Sequence, residues 1–308
     1  MLTHLVAVAG HPNVLALLLT VAAALPPLSL VFIKFVWVLT LGYGFAVASI
    51  GLLLLGLRRC GALVVGESAF TSQASAPLAD AHACLLVAYG VRYAALMAWR
   101  EVHFPEFTRE HSHTESYGWP RRLRVLAIVA VLVAAETAPA LLHALAPAHG
   151  CPRFVGGMLA CAALGLVLET LADFEKAAFK QRARALGGGR AEAAEVACTS
   201  GLYARWRHPN YGGDLLFWLA VYAGALPSLA ALLRAQGDDT SGYSVTLLLA
   251  AVATCGQLAE IAIIQTRASE SEASQQRRYG ASEAFRAYIR RSGSLLPKLR
   301  VGGRGRPD

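Results

Sequence analysis

The chain has 308 residues, of which 56% are hydrophobic and 16% charged, against roughly 25% charged in soluble domains. That balance excludes an ordinary water-soluble globular protein and points to a multi-pass membrane chain. The net charge of +8 is carried outside the apolar stretches, so it reports topology and argues against nucleic-acid binding.

Seven windows are long and apolar enough to cross a bilayer, which takes about 20 residues. They are Val14 to Ile33, Phe35 to Leu57, Ala81 to Trp99, Leu123 to Leu145, Phe154 to Ala172, Asp214 to Leu233 and Tyr243 to Gln265. They predict an all-α, multi-pass membrane helix bundle. The first window contains Pro26-Pro27 and is separated from the second by little more than Lys34. The pair is therefore either a tight helical hairpin or one broken re-entrant unit, since proline frees a backbone carbonyl inside lipid. The N-terminus has no basic segment and no small-residue cleavage site, which predicts that no signal peptide is removed.

With seven spans, four Lys and Arg residues fall on one face and twenty-three on the other, and Arg92 inside the third span completes the 28. Positive charge stays on the cytosolic side, so the asymmetry predicts an outside or lumenal N-terminus and a cytosolic C-terminus. The expected organisation is an N-terminal helical hairpin over 1–80, a membrane domain over 81–297 and a disordered tail over 298–308. The tail segment before Pro297 reads as a helix with Phe285, Tyr288 and Ile289 on one face.

The six cysteines show no CxxC or Cys/His spacing, which argues against zinc, haem attachment or a redox pair. Only Cys60 and Cys151 fall on the non-cytosolic face, where a disulfide between them is conceivable; the others read as small packing residues. His111 and His113, with Glu110 and Glu115 beside them, read as a solvated polar loop rather than a metal site.

Polar groups retained in spans are functional candidates, because they are expensive in lipid. Arg92 and Tyr93 sit in the middle of the third span, and Glu136 sits in the fourth, three residues before Pro139. The bland alternative for Arg92 is a structural partner for Glu136. Glu169 and Asp173 end the fifth span four residues apart, and Lys176 and Lys180 continue their helical face. That stripe is either part of a site or an interfacial helix laced with ion pairs.

The stretch RWRHPNYGGDLLFW, Arg205 to Trp218, opens the sixth span. Pro209 disfavours helix at His208, which makes Asn210 the expected N-cap, with Gly213, Asp214 and Phe217 on its face. An amide, a glycine permitting close approach and a carboxylate at the positive end of a helix form a polar floor for a ligand with amides and hydroxyls. Arg205 and Arg207 suit its phosphates. The alternative is an interfacial girdle in which Trp206, Tyr211 and the two arginines only anchor the helix.

The series E-x-x-x-D-x-x-K, a glycine-rich break, GLYxRxRHPNYxGD opening a span, and a tail with late aromatic residues and a proline resembles the steroid 5-alpha-reductase-like membrane family. Within it, the chain is most similar to the reductase-like branch that carries RHPNYxGE, over roughly Ala81 to Pro297. Asp214 stands where that family usually has Glu. Isoprenylcysteine and phospholipid methyltransferases share an RHPxYxG element at the same place.

The resemblance implies an endoplasmic-reticulum enzyme, with a bacterial inner membrane as the other location, that takes NADPH from the cytosol. Asn210, Tyr211, Gly213 and Asp214 would hold its nicotinamide-ribose end, with Glu169 and Asp173 on the ribose or pyrophosphate. Lys176, Lys180, Arg205 and Arg207 would meet phosphates, His208 would orient the turn, and Tyr288 and Arg291 would close over the adenine end. The implied reaction is reduction of a C=C bond in a lipophilic, steroid- or polyprenoid-like substrate. It needs a donor beside the substrate carbonyl, for which Tyr93, Arg92 and Glu136 are the candidates. Two alternatives stay open: an S-adenosylmethionine-dependent lipid or prenylcysteine methyltransferase, and an inactive membrane scaffold of the same fold. The seven basic residues between Lys176 and Arg207 tilt towards NADPH, since the methyl donor carries no phosphate.

Overall fold

The computed structural model describes residues 11–63, 76–104, 112–146, 151–185, 197–237 and 239–298. Among them the regular structure is helical, and a single isolated bridge joins Trp206 to Gly293. Seven helical stretches among the described residues are long and apolar enough to cross a membrane, which supports a multi-pass membrane protein. They coincide with the seven windows read from the sequence and extend most of them, the first ending at Phe32 rather than Ile33. Large apolar side chains such as Leu52, Ile128, Val131 and Leu258 face outward, an arrangement that lipid accommodates and water does not.

The chain divides into two compact units, the first built of Met1–Ala163 and Trp218–Glu260, the second of Leu164–Phe217 and Ile261–Asp308. In the first unit, helix α1 (Pro12–Leu28) starts with Pro at its first turn and His11 as cap, whose Nδ1 accepts from the Asn13 amide at 3.2 Å. Pro26-Pro27 are tolerated in its last turn, after which a 3₁₀ turn (Ser29–Phe32), an extended Lys34 and a second 3₁₀ turn (Phe35–Leu39) lead into helix α2, Leu41–Arg59. The first two spans are thus an antiparallel helical pair with a broken corner. Glu101 fastens that corner, pairing with Lys34 and accepting from Trp37 Nε1 at 2.7 Å. Glu115 adds a second tie, accepting from the Phe35 amide at 2.9 Å and from Arg122 at 3.1 Å.

Helix α3 (Ala76–His103) crosses α2 on glycines. A Cβ at Gly44 would lie 2.7 Å from the Gly90 carbonyl, and one at Gly90 2.3 Å from the Gly44 carbonyl. Lipid supplies no hydrophobic force between helices, so close backbone approach through small residues is what holds such pairs. Helix α4 (Trp119–Leu145) is the most buried span, and its residues from Val133 to Leu145 are all inside. Towards their ends, His82 and His143 meet through their Nδ1 atoms at 2.9 Å, both fully buried. Beside them Arg58 pairs with Asp80 at 2.9 Å and donates to the Ala144 carbonyl at 3.2 Å.

Helices α5 (Pro152–Ala185, 34 residues), α6 (Pro209–Ala235) and α7 (Thr240–Tyr279, 40 residues) contribute to both units. At 1.5 Å per residue α5 and α7 are about 51 and 60 Å long, well beyond a hydrocarbon core of about 30 Å. Both helices run on past the apolar windows, α5 along the helical face of Glu169, Asp173, Lys176 and Lys180 and α7 beyond Arg267. Helix α8 (Glu283–Arg291) is capped by Ser282, whose hydroxyl accepts from the Phe285 amide at 3.4 Å, and it buries Phe285 and Tyr288 as the spacing predicted. All six cysteines are free thiols, Cys60 and Cys151 included. Cys84 and Cys255 lie exposed on their helices rather than packed inside. Glu110, His111, the Gly187 to Gly189 break and the last ten residues, all of the expected tail beyond Lys298, lie outside the described residues, as does the side chain of His113.

Candidate functional site

In the second unit α5 and α6 touch at one pair of glycines. A Cβ on Gly213 would sit 2.7 Å from the Gly165 carbonyl and 2.6 Å from the Glu169 amide; one on Gly165 would sit 2.6 Å from the Gly213 carbonyl. The backbones meet there with no side chain between them. One turn further along α5, the approach buries Glu169, which is 6% exposed. Another turn on, Asp173 accepts from Asn210 Nδ2 at 3.3 Å. Asn210 therefore differs from the expected N-cap. The helix starts at Pro209, whose missing N–H suits the first position, and His208 occupies the cap, its carbonyl accepting from Gly212 at 2.9 Å. That frees the Asn210 amide to reach across to α5. Asp214 is half-buried on the next turn, and Phe217 is fully buried against Gly165.

The residues before the helix are held by the far end of the chain. The Arg207 amide donates to the Gly293 carbonyl at 2.8 Å, the Gly293 amide to the Arg205 carbonyl at 2.9 Å, and the His208 amide to the Ser294 carbonyl at 3.3 Å. The Arg207 guanidinium lies 3.0 Å from Glu272 Oε1 through Nη2. It also donates through Nη1 to the carbonyls of Ser292 (2.7 Å) and Ile289 (3.4 Å), which lie at the C-terminal end of α8. Arg207 is thus a clamp on the tail, a different set of partners from the phosphate contact that the motif suggested. Glu272 also accepts from Ser294 Oγ at 2.6 Å.

His208 is 1% exposed and stacks on Tyr211 at 5.4 Å between ring centroids. Its Nε2 lies 3.5 Å from Glu272 Oε1, too far for a good hydrogen bond, and has no partner among the described residues. Burial, reinforced by the Lys176 ammonium and opposed by Glu272, lowers its pKa to about 4, so the ring is neutral at pH 7. Trp206 Nε1 is a second buried polar atom without a partner there, and its ring covers Gly212, where a Cβ would come within 1.9 Å.

Tyr203 and Tyr288 belong to the frame of the unit. Tyr288 donates its hydroxyl to the Tyr203 carbonyl at 2.8 Å, and Tyr203 donates to the Ala172 carbonyl at 3.3 Å. Burial pushes the Tyr288 phenol up to about 12; burial and the Asp173 charge push that of Tyr203 higher still. Lys176 sits 6.0 Å from the Tyr203 ring centroid, while Lys180, Arg205 and Arg291 are exposed, with the Arg291 guanidinium 5.8 Å from the Tyr288 ring. The second unit thus brings together Glu169, Asp173, Lys176, Arg207, His208, Asn210, Tyr211 and Gly213.

Arg92, Tyr93 and Glu136 belong to the first unit. Glu136 is 1% exposed and accepts from the Tyr43 hydroxyl at 3.1 Å, a partner the sequence reading missed because Tyr43 stands in an uncharged apolar run. The Tyr43 and Tyr93 rings meet edge to face at 5.3 Å, and Tyr93 donates to the Leu39 carbonyl at 3.2 Å. Gly256 of α7 lies against the backbone of Ala135 and Glu136, and just beyond it Gln257 and Glu260 are buried polar residues inside a span. Both were legible by the rule that singled out Glu136, but they lie near the end of a long apolar run.

No curated protein and no solved structure matches the chain. One family model does, described as a protein of unknown function (DUF1295), over residues 60–292. That range takes in the glycine crossing, the RHPNY turn and the Glu272 contact, and it covers more than half of the chain: the protein belongs to the DUF1295 family.

Proposed function

We propose that this protein is a membrane oxidoreductase that uses NADPH to reduce a C=C bond in a lipophilic substrate, as its resemblance to the steroid 5-alpha-reductase-like proteins implies. The observation that carries the reading is the Asn210–Asp173 hydrogen bond beside a buried Glu169, at a helix start where two buried polar atoms, Trp206 Nε1 and His208 Nε2, have no hydrogen-bond partner among the described residues. An amide, two carboxylates and an aromatic ring at a positive helix end fit the ribose and carboxamide of a dinucleotide. Lys176, Lys180 and Arg205 are the cations assigned to its phosphates. Bound there, NADPH would supply a hydride equivalent.

The chain itself must provide a proton. The Tyr43–Glu136 hydrogen bond is a phenol on a buried carboxyl group, through which a proton can pass to an acceptor. Tyr93, whose ring meets that of Tyr43, is the second hydroxyl of this cluster. In this reading the C-terminus is cytosolic, where the nucleotide is available.

One observation favours the other reading, a methyltransferase using S-adenosylmethionine. Arg207 is committed to Glu272 and the tail carbonyls, so one of the basic residues counted towards phosphate binding is withdrawn. The deciding experiment is a titration of detergent-purified protein with NADPH and with S-adenosylmethionine in parallel. Saturable NADPH binding that Asn210→Ala abolishes supports the reductase; binding of the methyl donor alone overturns it.

A further inference from the structure

We infer that Glu272 is a positioning residue that locks the segment Gly293–Lys298 across the start of α6, making this strap a working part of the ligand site. The second half of the inference rests on the nucleotide reading above. The geometry is that of a knot tied by one carboxylate. Glu272 Oε1 accepts from Arg207 Nε at 3.1 Å and from Ser294 Oγ at 2.6 Å, and lies 3.5 Å from His208 Nε2. It thereby joins three parts of the chain: the end of α7, the RWRHP turn and the strap.

Each partner transmits the constraint. Arg207 carries it to the end of α8 through the carbonyls of Ser292 and Ile289, and Ser294 carries it to the His208 amide. The strap backbone also bonds to Arg205 at both ends, through the amides of Gly293 (2.9 Å) and Lys298 (3.2 Å). The carbonyl of Leu295 lies 2.8 Å from the place a Cβ on Gly212 would take, so the strap packs directly on the first turn of α6. His208, held between Glu272 and the strap, stacks on Tyr211, one of the groups assigned to the nucleotide. A displaced strap therefore moves the His208–Tyr211 wall without touching Asn210 or Asp173. Charge is central to the lock, because hydrogen bonds between ionised partners are about twice as strong as neutral ones.

The test uses the full-length protein in detergent, comparing wild type with E272A, E272Q and E272D. Hydrogen exchange of peptides covering 205–208 and 289–298 reads the lock without any ligand. About tenfold faster exchange is expected in E272A, less in E272Q, which keeps an acceptor without charge, and least in E272D; peptides of α2 and α4 should be unchanged in all three. Strap exchange in E272A equal to wild type would overturn the lock. NADPH titration reads the positioning role. Affinity should fall about tenfold in E272A and in E272Q and recover in E272D, while NADPH slows strap exchange in wild type. A wild type that binds NADPH and an E272A that binds it equally well would overturn the positioning role. A wild type that binds no NADPH, with strap exchange still raised in E272A, overturns the nucleotide reading and supports the lock.

Discussion

Replacing Gly213 by alanine isolates the contact on which the candidate site is built. The added Cβ would stand 2.6 Å from the Glu169 amide and 2.7 Å from the Gly165 carbonyl, both backbone atoms that cannot rotate away, where ordinary contact begins at 3.4 Å. Relief requires α5 and α6 to part by about 0.8 Å, an overpacking strain of roughly 1–3 kcal/mol. Alanine returns about 1 kcal/mol through its higher helix propensity, which leaves a net loss of about 0–2 kcal/mol. The site suffers more than the fold. Asn210 and Asp173 are already 3.3 Å apart, and the same displacement takes them to about 4 Å, beyond hydrogen bonding. Thermal unfolding of the detergent-purified variant should show a Tm lower by up to several degrees, and an NADPH titration should show weakened binding. Gly165→Ala should behave alike, since it meets the same crossing from the other side. Gly56→Ala is the control, because its Cβ would have no neighbour within 4 Å. A Gly213→Ala protein with wild-type Tm and wild-type nucleotide affinity would refute the claim that this contact sets the site.

Other expectations follow from single groups. Tyr43→Phe and Glu136→Gln should each lower reductive turnover by about 10²- to 10⁴-fold, the usual range for a lost proton-transfer group. Loss of the one Tyr43 hydrogen bond should shift stability by only about 1 kcal/mol, so a Tm close to wild type beside lost turnover is the pattern to look for. His208 has its folded pKa lowered from 6.5 to about 4 by burial. Its stability contribution is therefore complete above pH 6.5 and is lost as pH falls towards 4, on the order of 3 kcal/mol in all. The Tm of wild type should decline over that window, and a smaller decline in His208→Gln would be the check; an equal slope in both would show that other groups govern it. Titration of unfolded, unreduced protein with a thiol reagent should count six thiols, as the free cysteines require, and a count of four would reveal a disulfide.

The seven spans were legible because an uninterrupted apolar run of the right length has few other uses in a protein. Their ends were not. The spacing of Glu169, Asp173, Lys176 and Lys180 read as one helical face, but the apolar windows stop at Ala172 and Gln265, whereas α5 runs on to Ala185 and α7 to Tyr279. What supports the first is tertiary: Glu175 accepts from the Leu202 amide at 2.9 Å, across a turn whose Gly201 needs a φ of +59°. Gly213 was legible as a point of close approach. Asn210 was misplaced by two positions because Pro209 takes the first position of the helix, leaving His208 as the cap. Arg207 shows the limit of a local motif. Its neighbours in sequence suggest an anion site, and only the folded chain brings Glu272, 65 positions later, onto its guanidinium.

The polar groups of this protein keep company with glycine. Gly165 and Gly213 stand beside Glu169, Gly256 stands against the backbone of Glu136, and the Gly44–Gly90 crossing lies next to Tyr43 and Tyr89. The association has a physical cause. Two helices in lipid gain little by burying apolar surface, so their separation is set by how closely the backbones can approach. Where glycine lets them touch, side chains on the adjoining turns are shielded from lipid and can reach the facing helix, and there a carboxylate or phenol finds the partner that the bilayer denies it. Moved a turn away, onto a face packed against larger residues, Glu136 or Glu169 would be separated from any facing helix and would meet hydrocarbon. The glycines are thus what permits ionisable groups inside the spans, and the chemistry proposed for this fold depends on them as much as on the acids themselves.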